Sequence, residues 1–159
     1  SVRPVSNQMD DLVAEARAYA GEPVKVSPVE TQGRLRHLLY LDDEAMLVEL
    51  VRAWFEPRGY RVTGCILAAE ALEAVRADPT GFDVVVTDYN MPGMSGLQLA
   101  QALARINANL PVVLVSGHLS PSAQAASLAT NIKAMVSKTI MWQQLEGVIN
   151  RLLSTPPQA

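Results

Sequence analysis

Between residues 37 and 153 the apolar period of the chain switches from strand-like to helix-like five times. HLLYL (37–41), YRVTGC (60–65), FDVVVTD (82–88), PVVLVSG (111–117) and KAMVSK (133–138) are short and mostly β-branched or apolar. The stretches that follow them, roughly 44–57, 68–77, 95–107, 120–130 and 141–153, carry helical spacing. Such alternation predicts an α/β fold, a parallel sheet with helices on both faces. Segments one, three and four are nearly continuous apolar runs, as strands buried on both faces must be, whereas two and five carry more polar residues and belong at the edges. The order 2-1-3-4-5 meets this requirement and is one of the doubly wound arrangements.

A chain of 159 residues with 49% hydrophobic content supports one domain with a substantial core and at most a short appendage. Met9, Leu12, Val13, Ala16 and Tyr19 recur at helical spacing before Gly21, which predicts a short amphipathic helix over 8–20. The following GEPVKVSPVETQGR has linker composition. The expected division is an N-terminal helix and linker (1–35), the main domain (36–154) and a disordered tail (155–159). A start at Ser1 is expected of a piece cut from a longer protein or of a chain trimmed for expression. Net charge is −3 and the basic residues are scattered, which argues against nucleic acid or an anionic membrane as partner. One cysteine, Cys65, excludes a disulfide framework, and no secretory signal or long apolar run is present, so a cytoplasmic setting is expected. Ser95 with Gln98 predicts a capping box, Ser120 before Pro121 a further helix start, and the helix near 68 shows no capping side chain.

In a sheet of this kind ligands bind outside the carboxyl ends of the strands. Segment one ends in Asp42 and Asp43, three in Asp88, four in Ser116 and five in Lys138. Each alone reads as a cap, a turn residue or a solvated charge. Together they put three carboxylates, a hydroxyl and an ammonium on one edge. Three neighbouring carboxylates repel unless a cation sits among them, and hard oxygen ligands describe a magnesium site. A divalent cation and an ammonium beside a carboxylate suit phosphoryl oxygens, which makes Asp88 a candidate nucleophile.

LYLDDE, VVVTDYNMPGMSG, VLVSG and VSK, in that order and spacing, resemble the four motifs of the receiver domain of two-component response regulators, over about residues 36–153. LDDEA, TDYNMPGMSG and LVSGHLS are most similar to the C-terminal receivers of hybrid sensor histidine kinases. The resemblance implies a flavodoxin-like fold and a phosphorelay function rather than a stand-alone enzyme. By it, Asp88 would accept a phosphoryl group from the phosphohistidine of a histidine kinase or histidine phosphotransfer domain. Asp43, Asp88 and the Asn90 carbonyl would hold Mg2+ directly, with Asp42 acting through water. Lys138 would pair first with Asp88 and then with a phosphoryl oxygen, and Ser116 would donate to another. The added charge, about −1.5 to −2, would shift the surface near strand four, the helix after it and strand five, with a homodimer as one possible consequence.

Two positions depart from the family pattern. Met135 stands where an aromatic residue is usual, and Thr139 replaces the proline that usually follows the lysine. Without that proline a trans Lys138–Thr139 bond is expected, with the Thr139 hydroxyl capping a helix from about 140. His118 reads either as a solvated loop residue or as one that influences dephosphorylation, and Trp142 either as packing beside the stripe Leu145, Val148, Ile149 and Leu152 or as a contact surface. A haloacid dehalogenase-type phosphatase would need a second aspartate where Asn90 stands. A flavin carrier would need a Ser/Thr/Gly-rich loop where DDEAM would repel its phosphate. The remaining alternative is a receiver-fold interaction module that takes no phosphate.

Overall fold

The computed structural model describes residues 30–31, 34–117 and 131–154. The expected helix at 8–20, the helix at 120–130 with its Ser120–Pro121 start, His118 and the tail from 155 lie outside the described residues.

Five strands, β1 (Arg34–Leu41), β2 (Tyr60–Cys65), β3 (Val84–Asp88), β4 (Val112–Ser116) and β5 (Ile132–Ser137), form a parallel sheet in the order 2-1-3-4-5. Residues of β3 and β4 are buried throughout, while β2 and β5 alternate buried with exposed or half-buried positions, as edge strands do. β1 starts three residues before its apolar run because a two-residue strand, Glu30–Thr31, pairs antiparallel with Arg34 and Leu35. A pairing of two residues is too short to leave a mark in the apolar pattern.

The four described α-helices are α1 (Ala45–Phe55), α2 (Ala68–Ala77), α3 (Gly96–Ile106) and α4 (Met141–Ser154). A 3-10 turn, Glu56–Arg58, prolongs α1 and ends at Gly59, whose φ of 91° is a left-handed conformation that glycine adopts without a Cβ penalty. The Ser95/Gln98 capping box forms, with Gln98 N–H donating to Ser95 Oγ at 3.2 Å and Ser95 N–H to Gln98 Oε1 at 2.9 Å. α2 is held differently: the Glu70 carboxylate reaches back to accept the N–H groups of Ile66 and Leu67, both at 3.1 Å. An acidic residue in the first turn thus does the work of the missing cap.

Side chains alternate across the sheet, so β1 feeds two cores. Leu38 and Tyr40 face α1 and α4, joining Val51, Phe55, Leu145 and Ile149. Leu39 and Leu41 face α2 and α3, joining Val75, Leu99 and Leu103. α1 can approach the sheet closely because position 64 is glycine; a Cβ there would lie 2.3 Å from Val48 Cγ1. Trp142 is half-buried and packs against Trp54 with ring centroids 5.4 Å apart, and the Arg58 guanidinium lies over Trp54 at 4.1 Å.

At the amino end of the sheet His37 is buried beside Phe82, with Nδ1 3.0 Å from the Gly81 carbonyl and Nε2 2.6 Å from Thr63 Oγ1. One neutral tautomer satisfies both, donating to the carbonyl and accepting from the hydroxyl. Burial lowers the His37 pKa below 6.5, against the Gly81 bond that raises it. The folded state therefore binds this proton less readily than the unfolded chain, so the contribution is complete above pH 6.5 and is lost as pH falls through the lowered value. The urea midpoint should drop between about pH 7.5 and about pH 5.5, and His37→Gln should show a smaller drop from a lower starting stability. Equal drops in the two proteins would remove His37 as the cause.

Candidate functional site

The carboxyl ends of β1 and β3 adjoin where the sheet order reverses, Lys138 reaches them from the end of β5, and three charged side chains meet there. Asp42 directly follows β1 and is wholly buried. Its N–H donates to the Cys65 carbonyl at 3.2 Å, and its Oδ1 accepts the Glu44 N–H at 2.9 Å. Asp88 closes β3 and is 4% exposed, with Oδ1 accepting the Asn90 N–H at 3.2 Å. Lys138 follows β5 and is anchored by its N–H to the Ser116 carbonyl at 2.9 Å. Its Nζ lies 3.0 Å from Asp88 Oδ2, 3.2 Å from Asp42 Oδ2 and 3.7 Å from Glu44 Oε1.

Burial pushes the Asp42 carboxyl above its ordinary pKa, opposed by the Glu44 N–H and by Lys138. For Lys138 burial works against the charge, but the hydrogen bond to Asp88 and the charges of Asp42 and Asp88 outweigh it and raise the pKa. The ammonium therefore stays charged between the two carboxylates. Burial lifts the Cys65 thiol to about 11, which leaves it protonated and excludes it as a thiolate nucleophile.

Asp43 is exposed and completes an acidic triad, with one oxygen each of Asp42, Asp43 and Asp88 all within 4.8 Å of one another. An all-oxygen set of this kind is the donor chemistry that hard divalent cations such as magnesium take. Ser116 ends β4 and is buried, in register with Ser137, and Asn90 lies exposed in the turn after Asp88. In the same loop Gly93 has φ 83°, and at position 96 a Cβ would stand 2.6 Å from the Asp88 carbonyl oxygen. Glycine there lets α3 start directly against the end of β3, with the Gly96 N–H donating to the Tyr89 carbonyl at 2.9 Å.

All the residues expected from the strand ends lie at this one edge. Two more were not anticipated. Glu44 reaches Lys138, and the hydroxyl of buried Tyr40 donates to Asp42 Oδ2 at 3.1 Å. A tyrosine two residues before an aspartate, among Leu38, Leu39 and Leu41, was the available signal, since the two share a face. Burial and the Asp42 charge raise the Tyr40 pKa far above the usual phenol range, so the group remains a donor. No peptide bond among the described residues is cis, so Lys138–Thr139 is trans. Thr139 does not cap the last helix: its hydroxyl pairs with Ser137 Oγ at 2.8 Å. α4 starts at Met141, as the helical spacing indicates, with the Gln143 and Gln144 N–H groups donating to the Ile140 carbonyl at 3.1 and 3.2 Å. The tight turn that bonds the Ile140 N–H to the Ser137 carbonyl brings the two hydroxyls together. Met135 is half-buried in register with Leu114 and packs on the α2/α3 side.

The family model of the response regulator receiver domain matches residues 38–150. The chain belongs to the response regulator receiver family. Among relatives, the sensor histidine kinase GacS of Pseudomonas protegens is 29% identical over 153 residues, 92% of this chain and 16% of the relative. The two-component response regulator ORR27 of Oryza sativa subsp. japonica is 42% identical over 85 residues, 53% of this chain and 13% of that protein. The receiver thus spans a small part of the length of both. The GacS match supports the similarity to receivers of hybrid kinases. The fold is shared with a receiver domain protein from Clostridium thermocellum (TM-score 0.71, 23% identity, covering 76% of this chain and 95% of that one). It is shared too with a CheX–CheY–BeF3–Mg complex from Borrelia burgdorferi (TM-score 0.70, 18% identity, covering 76% and 90%). No helix of the described residues is long and apolar enough to cross a membrane.

The raised Asp42 pKa has a sign that can be checked. A carboxyl whose folded pKa lies above its unfolded value costs stability at neutral pH, and the cost disappears below the unfolded value of 3.8. Asp42→Asn should raise the urea midpoint at about pH 7, with the gain shrinking as pH approaches 3.8. A lower midpoint at neutral pH would show that pairing with Lys138 outweighs the burial of the charge.

Proposed function

We propose that this receiver takes a phosphoryl group on Asp88 from a phosphohistidine and passes the change to its partner-binding surface. The observation that carries the reading is the position of Lys138, its ammonium bonded at once to the buried Asp42 and Asp88 beside exposed Asp43. Attack by an Asp88 carboxylate oxygen on phosphorus would form the acyl phosphate bond while the N–P bond breaks, its electron pair leaving with the imidazole nitrogen. Asp43, Asp88 and the Asn90 carbonyl would hold magnesium, with Asp42 acting through water, and what the ion supplies when bound is neutralisation of the phosphoryl oxygens' charge. Lys138 would follow one phosphoryl oxygen, which its four-carbon stem permits, and the Ser116 hydroxyl would donate to a second. The donor is a histidine kinase or a histidine phosphotransfer domain, in keeping with the family and the GacS relative. The setting is cytoplasmic, and a hybrid kinase is the parent that the GacS match favours.

Incubation with acetyl phosphate and magnesium should give a slower band in phosphate-affinity electrophoresis. Chelator should abolish it, and Asp88→Asn should show none. Labelling of Asp88→Asn to the wild-type extent would sink the assignment.

A further inference from the structure

Tyr40 lies in the middle of β1, fully buried, with its ring in the core shared by α1 and α4. An aliphatic residue would fill an apolar core at least as readily, since a phenol brings a hydroxyl that must find a partner there. The partner is at hand. Tyr40 and Asp42 share a face of the chain, and two residues of strand advance about 6.6 Å, a distance that a tyrosine ring leaning along the strand can bridge. The hydroxyl accordingly donates to Asp42 Oδ2 at 3.1 Å.

The same oxygen also takes Lys138 Nζ at 3.2 Å, and the two donors differ in kind. Lys138 is shared among Asp42, Asp88 and Glu44 and hangs on a flexible stem. Tyr40 turns about two side-chain bonds, and its surroundings are packed on all sides. If Lys138 swings toward an anion added to Asp88, Asp42 loses that contact and keeps the one from below. We propose that Tyr40 is a positioning residue of the acidic site, its hydroxyl holding the Asp42 carboxylate in the orientation that a divalent cation needs, independently of where Lys138 points. This rests on the cation-binding reading above, which the same experiment tests separately.

Outer-shell partners typically contribute about tenfold or more to metal affinity, and Asp42, acting through water, is such a partner whose direction Tyr40 sets. Calorimetric titration of the full chain with Mg2+ should give a dissociation constant about tenfold higher for Tyr40→Phe than for wild type. Tyr60→Phe is the control, since it removes another buried tyrosine hydroxyl, bonded to Asn150 at the far end of the sheet. It should lower the melting temperature in the absence of the cation and leave the Mg2+ affinity alone. In the wild-type protein, ring-labelled tyrosine followed by NMR should show the Tyr40 signal moving during the titration while the Tyr60 signal stays. Affinity lost in Asp43→Asn but unchanged in Tyr40→Phe, or a Tyr40 signal that does not move, overturns the positioning role alone. Wild-type affinity in Asp43→Asn overturns the cation site and this role with it.

Discussion

The ammonium of Lys138 between Asp42 and Asp88 is the contact on which the carboxyl edge of the sheet depends. Two carboxylates buried this deeply carry a desolvation cost and repel each other, and the hydrogen bonds from the Glu44 and Asn90 backbone satisfy only one oxygen of each. The other oxygen of each carboxylate faces Lys138. The residue that neutralises the pair comes from the last strand, so the site exists only when the whole sheet has closed. Because the lysine is shared, it is also the element free to move when the charge on Asp88 changes.

The fold supplies the rest of the geometry without special devices. Parallel strands all end at the same edge, and the reversal of order at β1 sets β2 on one side of it and β3 on the other, which opens the crevice that Asp42 and Asp88 line. Glycine at 64 and 96 lets helices approach where a Cβ would collide with Val48 or with the Asp88 carbonyl. The site is therefore backed by two cores, one on each face of β1, with little freedom in the strands that carry its acids.

Contacts within a few residues were legible to different degrees. The Ser95/Gln98 box forms as its spacing indicates, whereas the role of Glu70 at α2 was hidden because the cap position itself is Leu67, which has no polar side chain. Thr139 shows the converse. Its propensity as a cap is real, but Ser137 lies within reach in the turn and takes the hydroxyl.

The sequence by itself determined the architecture and the inventory of the site. Apolar period decides strand or helix, the difference between continuous and alternating runs decides centre or edge, the order 2-1-3-4-5 satisfies both, and in a parallel sheet Asp42, Asp43, Asp88, Ser116 and Lys138 share the carboxyl edge. Only the tertiary structure decided who touches whom. Lys138 could have favoured any one of several acids, and Tyr40 could have been a simple core residue. Those choices turn on side-chain directions and on differences of a few tenths of an ångström between elements far apart in the chain. Local periodicity has no term for such distances, because they are set by how two cores pack against opposite faces of one strand.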